Sequence, residues 1–192
     1  MMCAKIAALY VHGRIVTGTH HGDAFSKLTI EEKTQIICSG FLDEEHHKFI
    51  GEDKEIFVKE IVLIRHANVD DSEDPSVTDQ GRSQIKRAAN FLNDHMDLSD
   101  FQGFNSPIKR CQQTADEFSK ELNVFFKPET SLIESASPRM LLAFLNNLPC
   151  KSLLITHCDI ISSLVYLTTE KCVKEIKYCS PLIVVNNTVT SI

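Results

Sequence analysis

The stretch EIVLIRHANVDD, residues 60–71, decides the fold and raises the question of function. Its apolar residues 61–64 are typical of a strand that is buried on both faces, as strands of a parallel sheet are. Arg65 and His66 follow directly, and a polar loop begins after them. A buried strand that ends in an arginine and a histidine predicts that the sheet holds both side chains at its edge, where parallel sheets carry their functional groups.

From residue 60 onward, patterns typical of strands and helices alternate. Apolar residues at helical spacing predict four helices, in DQGRSQIKRAANFLNDHM (79–96), RCQQTADEFSKEL (110–122), SPRMLLAFLNNL (137–148) and DIISSLVYLTT (159–169). Further strands are predicted in FQGFNS (101–106), NVFFKP (123–128), KSLLITH (151–157) and a closing hairpin, PLIVV with NTVTSI (181–192). This alternation predicts an α/β fold, a three-layer α/β/α sandwich with a mostly parallel central sheet.

The first part of the chain differs, because residues 1–59 lack this alternation. Turn residues His12 and Gly13 predict a hairpin, and a capping box from Thr29 to Glu32 predicts a short helix. We interpret residues 1–59 as a small α+β segment without an assignable role, and residues 60–192 as the main domain.

The composition excludes several classes of protein. With 43% hydrophobic and 24% charged residues among 192, the chain is typical of a globular protein. Its net charge is −6 and its basic residues do not cluster, which argues against nucleic-acid binding. No apolar run approaches the ~20 residues of a membrane span, and no secretory signal is predicted. Seven cysteines without a C-x-x-C pair predict reduced thiols and a cytoplasmic location, whereas the oligomeric state stays open.

Five chemically suitable side chains are expected at the same edge of the predicted sheet. Arg65 and His66 end the first strand, Arg110 opens the helix after Ser-Pro, His157 ends another strand, and Glu134 lies in a loop before a helix. Arginines bind phosphate oxygens in bidentate fashion, and the amino end of a helix adds further positive charge. A neutral imidazole is a competent nucleophile near pH 7, since its ordinary pKa is ~6.5. These groups predict a site for a phosphate dianion.

The segments LIRHA, SPIKRCQQTA, LIES and LLITHC, in this order, resemble the histidine phosphatase superfamily, and SVTDQGRSQ resembles its LT-x-x-G-x-x-Q element. The resemblance covers residues 60–192. It implies that His66 accepts the phosphoryl group as a phosphohistidine, that Arg65 and Arg110 bind the phosphate, and that His157 contacts the transferring group. Glu134 matches the acid that protonates the leaving oxygen and then activates water. Three further residues are candidates to line the pocket: Asn68, Ser106 and Cys158.

No metal and no cofactor are expected, because the arginines supply the positive charge that phosphoryl transfer needs. The adjacent histidine pairs His20-His21 and His46-His47 are interpreted as structural or solvated, since neighbouring histidines do not readily bind one ion. The sequence therefore predicts a metal-independent phosphatase that acts on a phosphorylated small molecule or a phosphoprotein.

Two alternatives stay open beside hydrolysis. A phosphoglycerate-mutase-type phosphotransferase is disfavoured by the short domain. It is also disfavoured by Val69, where many family members have threonine or serine, and by Ser72, where many have asparagine. A non-catalytic phosphoprotein-binding module would keep the same pocket. The acidic residues of loop 70–74 would disfavour very acidic substrates if they border that pocket.

Overall fold

Six strands form one sheet in the order β3-β2-β4-β1-β5-β6. This computed structural model describes residues 59–169, 171–173, 175–185 and 188–191. The hairpin at His12-Gly13, the capping box at Thr29 and the small α+β segment that contains them were predicted for residues before 59, so they lie outside the described residues. Strands β1 to β4 run parallel, and β5 and β6 are antiparallel at one side. The strands are β1 (Glu60–Arg65), β2 (Gln102–Asn105), β3 (Phe126–Pro128), β4 (Lys151–Thr156), β5 (Leu182–Val185) and β6 (Thr188–Ser191).

Within the described residues, four α-helices connect the strands, α1 (Asp79–His95), α2 (Lys109–Leu122), α3 (Pro138–Asn147) and α4 (Cys158–Thr169), and a short 3-10 helix (Thr130–Leu132) lies between β3 and α3. The Thr78 hydroxyl caps α1 by accepting from Gly81 N, and Ser137 caps α3 ahead of Pro138 in its first turn. Helix α2 begins after Ile108 without a side-chain cap. None of the helices in the described ranges has the length and apolar character that crossing a bilayer requires.

Two hydrophobic cores lie on opposite faces of the sheet, because successive side chains of a strand point to opposite sides. Val62 and Ile64 of β1 belong to the core that α1 and α2 cover. Ile61 and Leu63 belong to the core that α3 and α4 cover. Helices therefore cover both faces of a mixed sheet whose centre is parallel, which confirms the predicted α/β/α architecture.

The predicted third strand is shorter than its sequence pattern. Residues 123–128 were expected to be extended, but β3 comprises only Phe126–Pro128. Asn123 ends α2 in the left-handed conformation, with φ of 55° and its N–H bonded to Ser119 O. Residues 123–125 therefore end α2 and form the turn that precedes β3.

The strand register brings the carboxyl ends of β1, β4 and β2 to one level. Arg65 pairs with Thr156, and Asn105 pairs with Ile155. Hydrogen bonding to β4 continues for one residue beyond β1 and beyond β2, since His66 N donates to Thr156 O at 2.9 Å and Ser106 N donates to Ile155 O at 2.9 Å. The residues that follow these three strands are therefore neighbours.

Candidate active site

His66 and His157 meet at this edge of the sheet. Their ring centroids lie 5.5 Å apart at an interplanar angle of 64°. His66 is 6% exposed and His157 is 2% exposed, so both imidazoles are withdrawn from bulk water. Adjacent parallel strands thus place two buried histidines edge to face.

The contacts of His66 define which ring nitrogen is free to react. Its Nδ1 lies 2.9 Å from the carbonyl oxygen of Ala67, and a carbonyl can only accept a hydrogen bond. Nδ1 therefore carries the proton in the neutral ring, and Nε2 keeps its lone pair. This is the tautomer that a nucleophilic imidazole needs.

Arg110 connects His157 to Glu134. Its Nη2 donates to Glu134 Oε1 at 2.6 Å and to His157 Nδ1 at 3.2 Å. Arg110 is in the first turn of α2, so the amino end of that helix adds its partial positive charge near the Arg110 guanidinium. Glu134 Oε1 also lies 3.2 Å from His157 Nδ1, which closes a three-member cluster.

The second histidine has the opposite tautomer. A guanidinium only donates, so Nδ1 of His157 accepts from Arg110 and Nε2 carries the proton. Nε2 donates to the buried hydroxyl of Ser106 at 3.0 Å and lies 3.6 Å from Cys111 Sγ. Ser106 therefore orients His157 rather than facing the open side of the pocket.

Both histidines are neutral at physiological pH. The pKa of His66 is lowered to about 4, chiefly by burial; the Ala67 hydrogen bond opposes this shift, and the positive charges of Arg110 and Arg65 contribute to it. Burial also lowers the pKa of His157 to about 4, although the negative charge of Glu134 opposes the shift. The imidazoles are thus available as bases or nucleophiles well below pH 7.

Glu134 is the exposed member of the cluster, with 57% of its side chain accessible. Partial burial by itself raises its pKa, but the hydrogen bond from Arg110 and the positive charge of that guanidinium outweigh burial and lower the pKa, and His157 adds to this effect only when its ring is protonated. In the unliganded site Glu134 is therefore a carboxylate, paired with the arginine that would bind phosphate.

Arg65 lies beside His66 and contacts a segment that the sequence did not single out. Its Nη1 donates to Ile176 O at 3.0 Å, and its Cζ lies 3.8 Å from the centre of the Tyr178 ring. The Tyr178 ring is also 5.5 Å from the His66 ring. The Nε of Arg65 is buried and has no hydrogen-bond partner among the described residues, an unusual state for a charged donor.

The backbone after Tyr178 is strained. Cys179 has a φ of 52°, in the left-handed region that side chains disfavour, and its N–H donates to Arg65 O at 3.1 Å. This turn leads into β5 and places the Tyr178 ring against Arg65 and His66.

Side chains of α1 and α2 fix the loop that follows His66. Thr114 Oγ1 accepts from Ala67 N at 3.1 Å, and Gln84 Oε1 accepts from Asn68 N at 3.0 Å. Helix α1 approaches so closely at Gly81 that an added Cβ would lie 2.4 Å from Asn68 O. The G-x-x-Q spacing, 81 to 84, thus supplies a close contact and a hydrogen-bond acceptor for the loop. Thr114 was not predicted, and its position in SPIKRCQQTA is the only sequence signal for it.

Two candidate pocket residues have other contacts. The Asn68 side chain accepts from the Thr78 hydroxyl at 2.8 Å, which ties the loop to the α1 cap. Cys158 is partly buried and its thiol donates to Asp159 at 3.4 Å. Burial raises the pKa of Cys158, so the thiol is protonated at neutral pH. Neither side chain makes a described contact with His66 or His157.

The acidic loop 70–74 borders the first turn of α2. Lys109, next to Arg110, donates to the Asp74 carboxylate at 2.9 Å and to its carbonyl oxygen at 3.0 Å. The Asp70 carboxylate folds the loop back on itself by accepting from Ser72 N at 3.1 Å and Ser76 N at 3.3 Å. The loop thus lies on the Arg110 side of the cluster.

Within residues 59–191, as far as they are described, no three His, Cys, Asp or Glu side chains lie close enough to share an ion. The histidine pairs at 20–21 and 46–47 lie outside the described residues.

Part of this chain is similar in sequence to a known protein family. Residues 61–140 match the model of the histidine phosphatase superfamily, branch 1. No curated protein matches the chain in sequence.

Several solved structures share the fold. The protein histidine phosphatase SixA complexed with tungstate is 17% identical with a TM-score of 0.57, over 69% of this chain and 94% of that chain. A protein assigned as phosphohistidine phosphatase SixA from Agrobacterium tumefaciens is 15% identical with a TM-score of 0.54, over 66% and 91%. A mycobacterial glucosyl-3-phosphoglycerate phosphatase complexed with VO3 is 13% identical with a TM-score of 0.50, over 65% and 92%. At these identities the likeness shows a common fold.

The family match falls on the part of the chain that holds β1, the loop after it, α2 and Glu134. It indicates a phosphatase as the general class of activity. The sequence motifs, the family match over residues 61–140 and the shared fold agree, and together they support assignment of this domain to the histidine phosphatase superfamily.

Proposed function

We propose that the chain is a metal-independent phosphatase that hydrolyses a phosphomonoester or a phosphoprotein through a phosphohistidine on His66. One observation carries this proposal: His66 is a buried neutral imidazole whose Nδ1 proton is held by the Ala67 carbonyl, leaving the lone pair of Nε2 free. The cluster of Arg110 and His157 next to it offers positive charge and hydrogen-bond donors for phosphoryl oxygens.

In the first half-reaction, Nε2 of His66 attacks phosphorus and the bond from phosphorus to the leaving oxygen breaks. The imidazole becomes positively charged as the new bond forms, and the Ala67 carbonyl stabilises that charge through the Nδ1 proton. Arg110 and Arg65 bind the equatorial oxygens, which holds the phosphoryl group in line.

Binding of the substrate changes the partners of Glu134 and His157. A dianion at Arg110 displaces the Glu134 carboxylate, which then loses its arginine and gains a negative neighbour, so its pKa rises. Glu134 can then hold the proton that a poor leaving oxygen requires. The same dianion raises the pKa of His157, whose Nδ1 becomes a donor to a phosphoryl oxygen.

In the second half-reaction, the Glu134 carboxylate takes a proton from water, the water oxygen attacks phosphorus, and the bond between phosphorus and Nε2 breaks. Inorganic phosphate leaves, and His66 returns to its neutral form. Charge neutralisation comes from the arginines throughout, so we expect activity without a divalent cation.

The test is turnover of a phosphomonoester such as 4-nitrophenyl phosphate by the full chain in the presence of EDTA. We expect hydrolysis by the wild type and no hydrolysis by His66→Ala with an unchanged melting temperature. Full activity of His66→Ala would refute the mechanism. A mutase would return the phosphoryl group to an acceptor instead of releasing phosphate, and a binding module would turn nothing over.

A further inference from the structure

A cleft of about 710 Å³ lies beside the catalytic cluster, between α1 and the segment 175–181. Gln84, Arg87 and Phe91 form the α1 wall, and Lys177 and Tyr178 lie on the other wall. A volume of this size is typical of sites for small molecules. Apart from Arg65, none of the residues that line this cleft takes part in the catalytic steps proposed above.

The cleft is positively charged, although the protein as a whole carries a net charge of −6. Its described lining residues include three bases, Arg65, Arg87 and Lys177, and one acid, Glu175. Concave surfaces lined by charge of one sign concentrate ligands of the opposite sign. An occupant of this cleft is therefore expected to be anionic.

The cleft shares a wall with the catalytic cluster. Arg65 and Tyr178 line the cleft, and the Tyr178 ring lies 5.5 Å from the His66 ring. The cleft therefore adjoins the Tyr178 ring, which in turn contacts His66. The acidic loop 70–74 does not border the cleft on this side. It lies next to the start of α2, which follows β2, whereas the segment 175–181 precedes β5. The sheet order separates β2 from β5 by β4 and β1.

We propose that this cleft is a subsite for a second anionic group, such as a carboxylate, carried on the leaving group of the substrate and bound by Arg87 and Lys177. The inference rests on the proposed phosphatase function and adds the class of substrate to it. Phosphorylated molecules with a second negative charge are the preferred substrates, and the cleft provides their selectivity.

The test compares phenyl phosphate with 4-carboxyphenyl phosphate, two substrates that differ in one negative charge. Arg87→Gln/Lys177→Gln removes two positive charges from the cleft without touching the groups that contact the phosphoryl group. The matched control is Arg82→Gln, an exposed arginine of the same helix that does not line the cleft. The readout is the ratio of kcat/KM for the two substrates, so a general loss of activity does not affect it.

We expect the wild type and the control to prefer the carboxylated substrate. In the double variant this ratio should fall by about fivefold, as for the loss of a modest ion pair, with phenyl phosphate turnover unchanged. An equal ratio in wild type and double variant, or no preference in the wild type, would overturn the proposed subsite. Failure of the wild type to hydrolyse either substrate would instead refute the phosphatase function.

Discussion

The Glu134 carboxylate forms an ion pair with the Arg110 guanidinium, with Oε1 2.6 Å from Nη2. The same oxygen lies 3.2 Å from His157 Nδ1. A carboxylate oxygen thus occupies the position between Arg110 and His157 where a phosphoryl oxygen would bind in our mechanism. Substrate and Glu134 compete for one arginine, and this competition couples binding to the release of the proposed acid.

Replacing Glu134 by glutamine should have two effects. Inorganic phosphate should inhibit several-fold more strongly, because the neutral amide competes less well for Arg110 than the carboxylate does. Turnover of an alkyl phosphate should fall more than that of 4-nitrophenyl phosphate, since only the poorer leaving group needs a proton. Inhibition constants and kcat for both substrates provide the measurement.

The control for this substitution is Asp116→Asn, which removes one exposed carboxylate from α2 and should change neither quantity. An equal loss of turnover for both leaving groups would exclude Glu134 as the acid. Unchanged inhibition by phosphate would exclude the competition.

The stability of the protein should fall as the pH decreases from about 6.5 toward 4. Burial lowers the pKa of His66 to about 4 in the folded chain, whereas an unfolded histidine has a pKa of ~6.5. The unfolded chain therefore binds this proton at a higher pH than the folded chain does. The contribution of neutral His66 to stability is fully present above the unfolded pKa and is lost as the pH falls through the folded pKa. At pH 4.5 this costs on the order of 2 kcal/mol for one histidine.

The measurement is the melting temperature at pH 7 and pH 4.5. His66→Asn should show a smaller fall than the wild type, by several degrees. His95→Asn, at an exposed position of α1, should behave as the wild type does. The same fall in His66→Asn and wild type would mean that His66 is not held neutral by burial.

Tyr178 should act by positioning Arg65. Its ring lies 3.8 Å from the Arg65 Cζ, so Tyr178→Phe keeps the stacking surface and should leave kcat and KM within about twofold of the wild type. Tyr178→Leu removes the ring and should raise KM for a phosphomonoester about fivefold. A similar KM in the leucine and phenylalanine variants would show that the stacking has no role in binding.

Much of the fold could be predicted because it depends on local patterns. The apolar run 61–64 and the capping residues Thr78 and Ser137 gave strands and helices close to those observed. The ends of β1 and β4 follow from the same patterns, since parallel neighbours place their carboxyl ends together. The presence of His66 and His157 at one edge is therefore a consequence of simple topology.

The contacts inside the site could not be predicted in the same way. The Arg110–Glu134 pair joins the first turn of α2 to the loop before α3 through the exposed side chain of Glu134, whose direction no periodicity encodes. The tautomers of the histidines depend on single acceptors, Ala67 O and Ser106 Oγ. Tyr178 lies in a segment without a helical or strand pattern, and the unusual φ of Cys179 places it.

The most direct test of the central claim is the chemical nature of a trapped phosphoryl-enzyme. The full chain is mixed with a ³²P-labelled phosphomonoester, quenched within milliseconds, and mapped by proteolysis and mass spectrometry. We predict a label on His66 that is lost in acid and stable in base, and no label in His66→Ala. An acid-stable label, a label on another residue, or rapid turnover without any label on His66 would contradict the account.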